Sequence, residues 1–161
     1  MKRILPLVLS VMLFWSCGPK ILLDEESTFQ DNKWMRFDEP TQFIFTSNNT
    51  EDFYNFIFTV AVDTALYRQN GLPITLQLNN PNGETRTLFS DIVLRNYKGS
   101  WLGEFDEQGI LHVSQQIRQY YSFNTKGDYS IRISQRTNKY EIDGIHGIRL
   151  RIEQAKVQYP E

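Results

Sequence analysis

Apolar and polar positions alternate with a period of two along most of this chain, the spacing of strands that bury one face. Phe43 and Phe45, with Thr41, share one side of such a segment. Between Phe53 and Asp63, Phe56, Phe58, Val60 and Val62 alternate with Ile57, Thr59 and Ala61. Both faces of that run are largely apolar, which predicts a central, well-buried strand. Ile74, Leu76 and Leu78 alternate with Thr75, Gln77 and Asn79, and Asn80-Pro81-Asn82-Gly83 follows. Proline presets φ and Asn-Gly tolerates positive φ, so residues 84–88 are expected to return as the partner strand of a hairpin. Near the end, Tyr129, Ile131 and Ile133 alternate with Ser130, Arg132 and Ser134, and Ile148, Leu150 and Ile152 alternate with Arg149, Arg151 and Glu153. Each of these runs has one dry and one wet face, as antiparallel strands do.

Other stretches are less regular. Residues 90–109 carry Gly99, Gly103 and Gly109 around Trp101. Ile110, His112 and Ser114 against Leu111, Val113 and Gln115 suggest a strand, with a helical turn or two between Val113 and Tyr121 as the competing reading. Ile21-Leu22-Leu23 can begin a first strand, and Gly127, Gly144 and Gly147 suit turns that need positive φ. No long amphipathic helix, fixed-period repeat or low-complexity tract occurs. About seven or eight short strands separated by turn signals predict an all-β fold, a single antiparallel β-sandwich, immunoglobulin-like or jelly-roll-like.

The N-terminus departs from this pattern. Met1, Lys2 and Arg3 form a basic n-region, and Ile4 to Trp15 form an apolar stretch interrupted by Pro6 and Ser10. That stretch is far shorter than the ~20 residues that span a bilayer, so it reads as a secretory signal peptide. Ser16-Cys17, a small residue followed at once by cysteine, is the pattern of a bacterial lipoprotein box. In such a box the thiol takes diacylglycerol, the chain is cut before the cysteine, and the new amino group is acylated. Phe14 and Trp15 are bulkier than the usual aliphatic and small residues there, which leaves an ordinary secretory peptide or an uncut anchor as the alternative. Cys17 is the only cysteine, so it cannot close an intramolecular disulfide, and lipidation removes an otherwise free thiol. Each buried acyl CH₂ contributes about 0.8 kcal/mol, so two or three chains hold a protein stably at a membrane surface. The expected organisation is a signal peptide over residues 1–16, the lipidated cysteine, tether and first strand over 17–30, and the sandwich domain over 31–161.

Composition narrows the function classes. Seventeen basic residues against 19 acidic ones give a net charge of −2, and cleavage would remove Lys2 and Arg3. No basic patch for nucleic acid is expected. Eleven Phe and eight Tyr favour strands and large core contacts. The two histidines, His112 and His146, lie in no metal-ligand spacing, and His146 sits between two glycine-bearing segments that read as a turn. Asp38-Glu39 and Asp106-Glu107 are adjacent pairs whose side chains diverge, whereas a glycosidase needs carboxyls converging at ~5–9.5 Å. No nucleophile elbow, P-loop or dinucleotide fingerprint occurs. Neither catalytic residues nor a metal or cofactor are expected. Trp34, Trp101, Tyr97, Tyr120 and Tyr121 are expected outside the regular strands. Of these, Trp101, Tyr97 and Trp34 form a candidate aromatic contact surface of the kind that stacks on glycans. The opposing reading for Trp34 and Trp101 is packing over the end of the sandwich. Asn48-Asn49-Thr50 is an Asn-linked sequon, unused in a bacterial lipoprotein. Asp63-Thr64-Ala65 fits a bacterial O-glycosylation pattern, with Thr64 as acceptor.

Three C-terminal segments carry a resemblance. Gly99-Ser100-Trp101-Leu102-Gly103, the strand Gly127-Asp128-Tyr129-Ser130-Ile131-Arg132-Ile133, and the run from Asp143 through Gly144-Ile145-His146-Gly147-Ile148-Arg149 to Ile152 stand in an order and spacing that resemble the gliding-motility lipoprotein GldH family of Bacteroidota. The hairpin turn at Asn80 to Gly83 fits as well. A Met-Arg pair frequent after the second segment is replaced by Gln135-Arg136-Thr137. The resemblance implies a non-catalytic lipoprotein of the gliding machinery coupled to type IX secretion. Its expected partners are membrane lipid through acylated Cys17 and other envelope motility or secretion lipoproteins. The expected location is the outer membrane, on its periplasmic face, because the acids Asp24 to Glu26 stand well beyond the lipid. A carbohydrate-binding surface lipoprotein is the competing reading.

Overall fold

The computed structural model describes residues 18–36 and 41–156. The expected signal peptide, Cys17 and the Asp38-Glu39 pair lie outside them. The described residues form strands β1 (Ile21–Thr28), β2 (Lys33–Met35), β3 (Thr41–Ser47), β4 (Phe53–Val62), β5 (Gly71–Asn79), β6 (Thr85–Val93), β7 (Glu104–Phe105), β8 (Leu111–Ser122), β9 (Gly127–Gln135), β10 (Glu141–Asp143) and β11 (Ile145–Gln154). Every pairing among them is antiparallel. The period-two runs become strands because alternate side chains leave opposite faces of a pleated chain. In β4, Tyr54, Phe56, Phe58, Val60 and Val62 turn inward, each at most 1% exposed, and the strand is central as expected, between β11 and β8.

Two sheets pack face to face, one ordered β1-β11-β4-β8-β7 and the other β3-β9-β5-β6. Setting aside the short β2, β7 and β10, the first strand pairs with the last (β1 with β11) and the second with the second-to-last (β3 with β9). The third then pairs with the sixth (β4 with β8) and the fourth with the fifth (β5 with β6). That nesting is the jelly-roll arrangement, and it decides between the two sandwich types left open by the strand pattern. Of these four pairs only the innermost is a simple hairpin, and the other three join residues far apart in sequence. β1 bonds to β11 along its whole length, so the first strand belongs to the sandwich.

Between the sheets lies one core. Ile74, Ile131 and Ile133 from one sheet, none with measurable exposure, meet Phe58, Val60, Leu150 and Ile152 from the other. Phe123, just past β8, touches the rings of Phe45, Tyr54, Phe56, Tyr121 and Tyr129 with centroids 4.8–6.0 Å apart. The abundant aromatic residues therefore close one end of the core as stacked and edge-on pairs.

Several elements differ from expectation. β8 is the strand expected there and runs for 12 residues through Val113–Tyr121 in place of the competing helical turn, so that it holds both Tyr120 and Tyr121, which were expected outside the strands. Its register against β4 breaks twice, which blurs the alternation in sequence. Trp34 lies in β2 and is buried, and His146 lies within β11 rather than in a turn. Gly127 and Gly144 take φ of 134° and 82°, as their turns require. Gly147 does not; it is needed for space, because a Cβ there would sit 2.6 Å from the Ser27 carbonyl oxygen across the β1–β11 pair.

Candidate functional site

The registers give the sandwich two ends. β1 enters beside the last residues of β11 and the first of β4 and leaves beside the first residues of β11. The connections after β4, between β6 and β7, and between β9 and β11 therefore gather at the end farthest from Ile21. Most of the candidate residues stand at this distal end.

Across it lies a two-stranded ribbon of β2 and β10, with Trp34 opposite Ile142 and both buried. The indole stacks on Phe29 at 5.0 Å. Trp34 thus covers the end of the core and offers no contact surface, which corrects its place among the candidate platform residues. Lys33 donates to the Glu141 carboxylate at 2.9 Å and stands 3.4 Å from Asp143, so these acids raise its pKa, the Glu141 bond foremost. A groove of about 410 Å³ lies on one side of the ribbon, between Phe29 and Glu141. Another of about 490 Å³ lies on the other side, between Tyr67 to Pro73 and Thr137 to Lys139.

The second groove has built walls. Tyr67 is buried, its hydroxyl donates to the Gly71 carbonyl at 2.9 Å, and burial pushes its pKa up to about 12. Gln135 follows Tyr129, Ile131 and Ile133 in parity and is also buried. Its amide oxygen accepts from the Thr137 N–H at 2.8 Å and the Thr137 hydroxyl at 2.6 Å, and its amide nitrogen donates to the Lys139 carbonyl at 3.2 Å. One buried carboxamide thereby shapes the loop that forms the opposite wall. Sequence reasoning passed over Gln135, although its parity with three core residues was the available signal.

Tyr97 and Trp101 belong to the connection after β6. The Asn70 carbonyl accepts from both the Leu94 and Arg95 N–H groups, tying this connection to the groove. Asn96 then builds a tight tip: its side-chain oxygen accepts from the Lys98 and Ser100 N–H groups at 2.9 and 3.0 Å, and its carbonyl accepts from Gly99. Tyr97 at the tip is 92% exposed. Trp101 pairs back with Arg95, whose guanidinium carbon lies 3.6 Å from the ring centroid. One face of that indole is therefore occupied, whereas Tyr97 stays almost fully exposed, with the Lys98 ammonium 5.5 Å from its ring centroid. Thr64 stands half-buried in the turn after β4, where the Asp63 carboxylate accepts from the Ala65 N–H.

One acid–base pair is engaged in a turn. His112 Nε2 lies 2.9 Å from Asp106, whose carboxylate also accepts from the Gln108 and Ile110 N–H groups. The His112 bond and then the Ile110 bond hold the Asp106 carboxyl below its usual range. Among the described residues, no three His, Cys, Asp or Glu side chains converge as metal ligands would. None of the described helices is long and apolar enough to cross a membrane.

No curated protein and no solved structure matches the chain. The sequence model of the GldH lipoprotein family matches residues 22–152, from β1 to β11. The chain belongs to the GldH lipoprotein family. That makes it a gliding-motility-related, lipid-anchored protein of the cell envelope. Of the segments that carry the resemblance, Gly99 to Gly103 lies in the connection with the Arg95–Trp101 bridge, and Gly127 to Ile133 opens β9. In this GldH chain the motifs mark turns and a covered indole.

Proposed function

We propose that this protein is a non-catalytic scaffold of the gliding-motility machinery associated with type IX secretion, held by acylated Cys17 at the periplasmic face of the outer membrane. Its contacts with other envelope lipoproteins are made by the distal end. The observation that carries this reading is the braced tip, which holds Tyr97 almost fully exposed at the end of the sandwich opposite the chain's entry. Confinement to a membrane raises effective concentration, so a small, rigid contact suffices. The carbohydrate reading draws less support, since Trp34 is buried and Arg95 covers one face of Trp101.

A photo-crosslinking residue at position 97 tests the assignment in motile cells. The expected product joins the protein to another envelope lipoprotein and disappears when the membranes are solubilised before irradiation. Equal crosslinking from position 97 and from the outer-face control position Arg132 would remove the distal tip from the account.

A further inference from the structure

The end of the sandwich where the chain enters carries a strained feature that scaffolding does not use. Where the β8 register breaks against β4, Tyr120 takes φ 50°. A non-glycine residue in that left-handed region is strained, and bulges re-aim side chains. The Asn55 side-chain oxygen accepts from the Tyr120 N–H at 3.2 Å and braces the bulge. The phenol is 54% exposed. Ile21 and Phe53, which open β1 and β4, are also exposed. The three residues share one rim: Ile21 pairs with Glu153, Glu153 pairs with Asn55, and Asn55 bonds to Tyr120.

Only Gly18, Pro19 and Lys20 separate Cys17 from Ile21. Four steps of extended chain reach about 14 Å. A lipid on Cys17 therefore holds Ile21 within about 14 Å of the anchored end, which brings this rim to the bilayer surface. Exposed Lys20, Lys126 and Lys156 flank the rim, opposed by Glu51 and Asp52 in the β3–β4 connection. Charge there is nearly balanced, so attraction to anionic lipid is not its main chemistry. Aromatic and aliphatic groups with lysine stems beside them suit the headgroup–acyl boundary.

We infer that the rim formed by Ile21, Phe53 and Tyr120 seats in the bilayer that holds Cys17, so that the sandwich stands on the membrane with Tyr97 pointing away. The inference rests on acylation of Cys17. Because acylation consumes the only native thiol, an added cysteine can be labelled alone. The test uses the lipidated full chain, with acylation verified by mass spectrometry, in phosphatidylethanolamine–phosphatidylglycerol vesicles. It compares an environment-sensitive fluorophore on Tyr120→Cys with one on Tyr97→Cys. The position-120 probe is expected to shift to the blue, to be quenched by lipids brominated near the headgroup, and to escape aqueous iodide at low and high salt alike. The position-97 probe is expected to do none of these. On the unsubstituted protein, amide exchange around Tyr120 is expected to slow on vesicles while that around Tyr97 does not. An acylated protein whose residue 120 stays as open to iodide as residue 97, with unchanged exchange, overturns the seating and leaves the anchor standing. A chain without acyl groups on Cys17 overturns both.

Discussion

Replacing Gln135 by methionine tests whether one buried carboxamide builds a wall of the distal groove. Methionine keeps the volume and removes three hydrogen bonds, those to the Thr137 N–H, the Thr137 hydroxyl and the Lys139 carbonyl. A net bond is worth about 1 kcal/mol, and a donor left unpaired in a poorly hydrated place costs about 1–3 kcal/mol. Thr137 is half-buried, whereas Lys139 is exposed and its carbonyl can turn to water. The expected destabilisation is about 2–3 kcal/mol. Urea unfolding of a soluble Cys17→Ala form measures it, with amide exchange across residues 136–140 as the local readout. A loss smaller than ~0.5 kcal/mol, the range of ordinary surface changes, with unchanged exchange would refute the reasoning.

Three further outcomes follow from named contacts. Gly147→Ala forces a Cβ against the Ser27 carbonyl, so the β1–β11 pair must part; a loss of about 1–3 kcal/mol is expected by the same unfolding assay. Phe123→Ala empties the centre of the aromatic cluster and should cost about 3–5 kcal/mol, with the near-ultraviolet circular dichroism of the cluster reduced. The Asp24 carboxyl is held below 3.8 chiefly by its hydrogen bond from Arg149, so its contribution is complete above the unfolded-state value and fades as pH falls through the lowered folded one. The stability gap between the unsubstituted protein and Asp24→Asn, followed across a pH series, should therefore be full near neutrality and close in acid; a gap independent of pH contradicts the pairing.

Elements whose alternation is local and unbroken were legible in sequence. The β5–β6 hairpin, the buried centre of β4 and the half-wet strands β9 and β11 each follow from side-chain parity and one set of turn residues. Choosing the jelly roll required pairings such as β1 with β11 and β3 with β9, whose partners are distant in sequence and specified by no single residue type. Bulges blurred the second half of β8, because two register breaks there shift the parity that reveals its first half as a strand. At the candidate site, exposure of Tyr97 agrees with its Asn96-x-x-Gly99 turn. Burial of Trp34 depends instead on β10 arriving more than a hundred residues later to pair with β2. Gln135 went unseen because a polar residue in core parity reads as a strand end until the loop it organises is in view.

The claim that lipid tethering is what makes this protein work is tested most directly by complementing a deletion strain with Cys17→Ala and measuring colony spreading. The expected result is a folded, exported protein that fails to restore spreading. Full spreading by an unacylated, soluble form would contradict it.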